Sequence, residues 1–204
     1  MKTYLKTIKY LQIIFLSLAI IIMMVLPLVL VFKGNDISNT AIQSFYTVAH
    51  TFLFFVMMVR PLADIFTNTK WIRPLVILRK GAGVLSASII VSFIMAKLIV
   101  DPTGYLNSIF TLPYWSMVNY AVLGHMADLS AIILIITSNN LSKKIMGDWW
   151  KKVQKLSYVY FYGSALYVFL SYGDISQLIA IFLVTSATAV AFIKNREKLS
   201  QNNI

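Results

Sequence analysis

LQIIFLSLAIIIMMVLPLVLVF, residues Leu11–Phe32, runs for 22 residues without a charge, directly after Lys2, Lys6 and Lys9. A helix rises ~1.5 Å per residue, so roughly 17 to 25 apolar residues cross the ~30 Å hydrocarbon core of a bilayer. Lipid offers backbone amides no partner, whereas a helix satisfies its own. The run therefore reads as a membrane span. It exceeds the ~7 to 15 apolar residues of a cleaved secretory leader and no small-x-small cleavage site follows it, so it is expected to be retained.

Five further stretches have the same character: Ala41–Val59, Gly81–Val100, Met117–Thr137, Leu156–Tyr172 and Ile175–Ile193. With 59% of the 204 residues apolar and six such stretches, little chain remains for a soluble domain. The expected fold is all-α, a six-helix transmembrane bundle forming a single domain over residues 1–204.

The cations give this bundle an orientation. Sixteen of the eighteen Lys and Arg residues fall in four clusters between or beyond the spans. These are Lys2, Lys6 and Lys9; Arg60, Lys70, Arg73, Arg79 and Lys80; Lys143, Lys144, Lys151, Lys152 and Lys155; and Lys194, Arg196 and Lys198. Threaded through six spans, all four lie on one side, and cytoplasmic loops retain Lys and Arg. Both termini are thus expected in the cytoplasm of a cell bearing the protein in its plasma (inner) membrane. Asp36, Asp101 and Asp174 fall in the outer connections. A net charge of +11 then implies attraction to a bilayer with anionic headgroups. It does not imply nucleic-acid binding, because the bases are dispersed over four membrane-edge segments.

The connection from Arg60 to Lys80 mixes Leu62, Ile65, Phe66, Trp71 and Ile72 with its charges, as a segment lying among headgroups does. Trp71, Trp149 and Trp150 are expected at the inner interface and Trp115 at the outer one. Lys97, near the outer end of the third span, is expected to extend to the headgroups. Cysteine is absent, which excludes disulfides, iron–sulfur clusters and thiol catalysis. No nucleophile elbow, phosphate loop, zinc-protease motif or carboxylate pair appears, so no catalytic residue and no metal site is assigned.

The third span begins with Gly81 and Gly83 and continues with small residues every fourth position at Ser88, Ser92 and Ala96, and the sixth offers the same spacing in Thr185 and Ala189 and in Ala187 and Ala191. In lipid such rows let helix backbones approach, which is what holds bundles together there. Three polar residues stand out among the apolar ones. His50 is the tenth residue of the second span, His125 the ninth and Asp128 the twelfth of the fourth, which places all three near the midplane. His125 and Asp128, three apart, share a helix face. An acid at that depth costs ~2.5–3.5 kcal/mol on insertion scales, so it needs a partner or water. The trio reads either as a proton relay or ligand site, or as an interhelical hydrogen bond joining spans two and four. His50 and His125 are also the only imidazoles available for a bis-histidine haem b.

From about Thr47 to Asp174 the order of motifs resembles the ferric reductase-like transmembrane domain family. Within it the likeness is to the haem-binding membrane subunits of bacterial methionine-sulfoxide reductase systems. The residues that carry it are VRPL at Val59–Leu62, LRKGAG at Leu78–Gly83, GHMADLSAIILIITSNN at Gly124–Asn140, and the series Gly147, Trp150, Val153, Gln154, Leu156, Tyr158. The resemblance implies a transmembrane electron conduit, at most a non-catalytic electron-transfer subunit of an oxidoreductase. Its expected partners are a flavoprotein, a quinone or another redox subunit. It also implies histidine haem ligands at three positions where this chain has Phe93, Gln154 and Tyr167. Two alternatives stand beside it: a haem-free membrane scaffold or partner-binding subunit, and a small proton-coupled transporter.

Overall fold

The structure is a computed structural model that describes residues 2–33 and 36–201. Among the described residues there are helices and turns but no strand. Six helices are long: α1 (Lys2–Lys33), α2 (Asn39–Ile65), α4 (Leu78–Val100), α6 (Ala121–Thr137), α9 (Leu156–Tyr172) and α10 (Ile175–Gln201). Short helices fill the connections: α3 (Ile72–Leu75), α5 (Pro102–Ile109), α7 (Asn140–Met146) and α8 (Asp148–Val153).

Helices α2, α4, α6 and α9 form a four-cornered core. Helix α4 packs on α2 and α6, and α9 packs on α6 and α2, which leaves α2 and α6 at opposite corners. Helix α1 lies against α4, and α10 against α2 and α9. Of the apolar window of α4, 56% is buried, against 17% for α1 and 11% for α10, so α4 is the axis and the other two are perimeter helices.

The small residues of α4 make this possible. A Cβ added at Gly81 would stand 3.0 Å from Phe15 Cβ and 3.2 Å from the Gln12 carbonyl oxygen, so α1 approaches closer there than any larger residue permits. Ser92 Oγ donates to the Ser88 carbonyl at 2.7 Å and lies 3.3 Å from that of Ile22 in α1. Gly163 does the same for α9 and α6, where an added Cβ would meet the Leu123 carbonyl at 3.0 Å. In α10 the row divides: Ala191 is buried, while Ala189 faces outward and the exposed Thr185 hydroxyl pairs with Tyr162 at 3.0 Å.

Four helical stretches are long and apolar enough to cross a membrane, and a fifth is added if α6 and α7, bent by 93°, count as one broken span. Ile13, Ile20, Met24 and Phe32 of α1 and Phe182, Phe192 and Ile193 of α10 are exposed on the outside of the bundle. So large an apolar perimeter is the mark of a surface made for lipid. At 17 residues each, α6 and α9 are ~26 Å long, near the short limit for a span.

Helix ends depart from the hydropathy windows for physical reasons. Helices α1, α2 and α10 run past Leu11–Phe32, Ala41–Val59 and Ile175–Ile193 into their charged flanks. Lys, Glu and Arg are good helix formers, so polarity ends the apolar run without ending the helix. The fourth span begins at Ala121 instead of Met117. Ahead of it, Trp115 Nε1 donates to the Ile109 carbonyl at 2.7 Å and Tyr120 takes a left-handed backbone at φ 57°, uncommon for a residue with a Cβ. Met117 and Val118 are apolar yet 67% and 71% exposed beyond the helix end.

The basic clusters gather at one end of the bundle. Tyr4 donates to the Trp71 carbonyl at 2.9 Å, Trp150 Nε1 to that of Thr137 at 2.9 Å, and Lys194 Nζ to that of Ile65 at 2.5 Å. Lys194 thereby satisfies a carbonyl in the last turn of α2, where the helix dipole also favours a cation. At the opposite end the acids serve as caps: Asp101 accepts from Gly104 N at 2.9 Å and Asp174 from Ser176 N at 3.0 Å.

Candidate functional site

His50 lies in the twelfth position of α2, beside the fully buried Ala49. Its Nδ1 is 2.8 Å from the Tyr46 carbonyl one turn earlier. A carbonyl can only accept, so Nδ1 carries the proton and the lone pair resides on Nε2. Nε2 is buried and has no hydrogen-bond partner among the described residues. An imidazole held at one nitrogen by a carbonyl and open at the other is set up to accept a proton or bind a ligand.

Tyr46 joins this histidine to the acid. Its ring stacks on Phe93 of α4 with centroids 4.8 Å apart, and its hydroxyl is within electrostatic reach of Asp128. Asp128, the eighth residue of α6, is also within electrostatic reach of Tyr160 and Tyr167 of α9, Tyr114 of the outer connection, and Lys97 of α4. Its carboxyl group makes no hydrogen bond or ion pair among the described residues. The site is thus a carboxyl group within electrostatic reach of several tyrosines and one lysine, with no hydrogen bond to any of them among the described residues.

His125 lies one turn before Asp128 on the same helix. Because α6 begins at Ala121, His125 is only the fifth residue of the helix, and its ring stacks on Tyr114 at 3.6 Å with Trp115 edge-on at 6.2 Å. The two imidazoles do not meet. His50 and His125 sit on helices at opposite corners, and Leu53, Ile89, Ala127, Ala131 and Phe161 belong to the buried core these helices share with α4 and α9.

At the positions taken from the family resemblance the residues present do not fit a haem. Phe93 offers a ring face and no lone pair, and it is stacked on Tyr46 with Phe45 edge-on at 6.4 Å. Gln154 Nε2 reaches Thr137 Oγ1 at 3.4 Å, and the Tyr167 ring packs against Gly124, where an added Cβ would stand 3.3 Å from it. Among the described residues no three His, Asp or Glu side chains converge on one point. Comparison with family profiles, curated proteins and solved structures finds no match to this chain.

Sequence spacing alone would have found the Tyr46 carbonyl, since a helical residue reaches the one four before it. Nothing in the spacing shows Tyr114 over His125, or the tyrosines of α9 around Asp128. Those neighbours are brought by helix packing.

Proposed function

We propose that the chain is a six-span protein of the plasma membrane, termini in the cytoplasm, that relays protons between its outer side and the bundle interior as a small proton-coupled transporter. The observation that carries this is the enclosed, unpartnered Nε2 of His50. A buried polar atom without a partner costs ~1–3 kcal/mol, a cost more readily tolerated where the atom has work to do than where it is structural. In the relay, Nε2 takes up a proton while Nδ1–H stays on the Tyr46 carbonyl, and Asp128 is the second proton-binding group. The Tyr46 side chain, within electrostatic reach of Asp128, is the hydroxyl proposed to carry protons toward it, since a phenol both donates and accepts. Lys97 supplies the electrostatic balance for the carboxylate.

The test is infrared difference spectroscopy of the protein in bilayers after a pH jump. A carboxylic-acid band that vanishes in Asp128→Asn and shifts in His50→Gln, with His125→Gln unchanged, supports the relay. A spectrum indifferent to both substitutions overturns it. A visible spectrum recorded on the same sample is expected to be featureless, and a Soret band lost in His50→Gln would instead point to a cofactor.

The ferric reductase-like likeness supports a second reading, a haem-free relative of those electron-transfer subunits acting as a membrane scaffold. Its support is the Gly147–Tyr158 series, which forms the corner from α8 into α9, where Trp150 and Gln154 both reach back to Thr137. Its partner would be a flavoprotein, a quinone or another redox subunit drawn to the basic end. Capture of such a partner by wild-type protein but not by Trp150→Ala would favour it.

A further inference from the structure

A polar cavity lies at the basic end, between α2, α4, α9 and α10. It holds about 160 Å³ and its polar lining is Arg60, Asp64, Arg79, Tyr158, Thr188 and Asn195. Arg79 is half-buried, and its Nε donates to the Val56 carbonyl at 2.9 Å. That bond fixes the guanidinium plane and leaves both terminal nitrogens without a hydrogen bond among the described residues. Thr188 Oγ1, on the facing side of α10, is buried and likewise has no partner. Arg60 and Asp64 are a loose pair at 4.0 Å, both substantially exposed, so Asp64 offsets one of the two guanidinium charges and the other is uncompensated.

The donors outnumber the acceptors, and the excess charge is positive. A planar guanidinium with free terminal N–H groups, flanked by two hydroxyls and an amide, matches the tetrahedral oxygens of a phosphate group. The same cleft continues into apolar walls, Met57, Pro61, Ala191 and the exposed Phe192. A phosphate whose ester carries hydrocarbon fits both surfaces at once. A free anion uses only the polar one.

We propose that this cleft binds the phosphate of a phospholipid headgroup, with Arg79 and Thr188 as its principal donors and Arg60, Tyr158 and Asn195 around them. Bound lipid would bridge α2, α4 and α10 at the end where Lys194 already ties α10 to α2. The site is independent of the His50 and Asp128 relay and does not require it.

The test is native mass spectrometry of the detergent-purified full chain titrated with a short-chain phosphatidylglycerol, alongside thermal melting in the same lipid and in inorganic phosphate. The expected result is one tightly held lipid per chain, with Arg79→Gln and Thr188→Val each weakening it by about tenfold, as loss of a charge-assisted or buried hydrogen bond does. Lys143→Gln with Lys144→Gln should leave it unchanged. Thr188→Val removes no bond the protein makes to itself, so it remains informative if Arg79→Gln fails to fold. Equal lipid binding in wild type and Thr188→Val overturns the proposal. So does equal stabilisation by inorganic phosphate, which would mark a soluble-anion site, or equal loss in the Lys143 and Lys144 variant, which would mark diffuse attraction to a basic surface.

Discussion

The hydroxyl of Ser86 lies 3.0 Å from that of Tyr160, and Ser86 Oγ also donates to the Ala49 carbonyl at 2.8 Å. One fully buried serine on α4 therefore holds α2 on one side and α9 on the other. Both side chains are inaccessible to solvent, so neither hydroxyl has an alternative partner in water.

Replacing Ser86 with Ala strands the Tyr160 hydroxyl in an apolar core, whereas Tyr160→Phe leaves the Ser86–Ala49 bond intact. Ser86→Ala should thus cost more, ~1–3 kcal/mol, and Tyr160→Phe nearer the ~0.6 kcal/mol typical of a hydrogen bond between membrane helices. Reversible unfolding in mixed micelles measures both, and the reverse order would show that the two hydroxyls do not depend on each other.

Gly81 and Gly83 are a matched pair for testing the α1–α4 contact. A methyl at Gly81 meets the Gln12 carbonyl and Phe15 Cβ, atoms that move only with the α1 backbone, while one at Gly83 has 3.7 Å to Val56. Gly81→Ala is expected to destabilise by ~1–3 kcal/mol from overpacking. Gly83→Ala should be neutral or stabilising by up to ~1 kcal/mol, since alanine is the better helix former. Thermal melts of the two variants in one detergent decide it.

Because cysteine is absent, single cysteines report topology without background. With six spans, a membrane-impermeant maleimide should label Asn107→Cys in intact cells, and Lys70→Cys and Lys151→Cys only after permeabilisation. If α6 and α9 did not cross, Lys151→Cys would label together with Asn107→Cys. The Lys151 result therefore separates six spans from four.

Asp174 caps α10 outside the spans, and hydrogen bonds from Ser176 hold its carboxyl below the usual carboxylate range, aided by Gln177 and the nearby His50. A depressed folded value means the stabilisation is present above the unfolded pKa of ~3.9 and is lost as pH falls through the folded value. Asp174→Asn keeps a capping oxygen but cannot titrate. Wild type should lose melting temperature below about pH 4 by more than Asp174→Asn does, and parallel profiles would remove Asp174 from the acid response.

The membrane character, the six long helices and the gathering of cations at one end were all legible in order and composition. A bilayer imposes one length on every span and one sign on each side, and both leave a linear trace, as in Leu11–Phe32 with Lys2, Lys6 and Lys9 before it. The small residues of α4 were legible too, since close approach in lipid demands them at helical spacing.

Which residues share a site was decided by tertiary packing. Placed by position in a hydropathy window, His125 belongs with His50. Once Trp115 and Tyr120 turn the chain before Ala121, it sits one turn from the helix end beneath Tyr114. Arg79 and Thr188 are 109 positions apart and meet only because α10 returns beside α2. Hydrophobic thickness acts on each helix by itself and is readable locally. The rotation of a helix about its axis is set by its neighbours, and that rotation determines whether a side chain meets lipid, a packed core or a cavity.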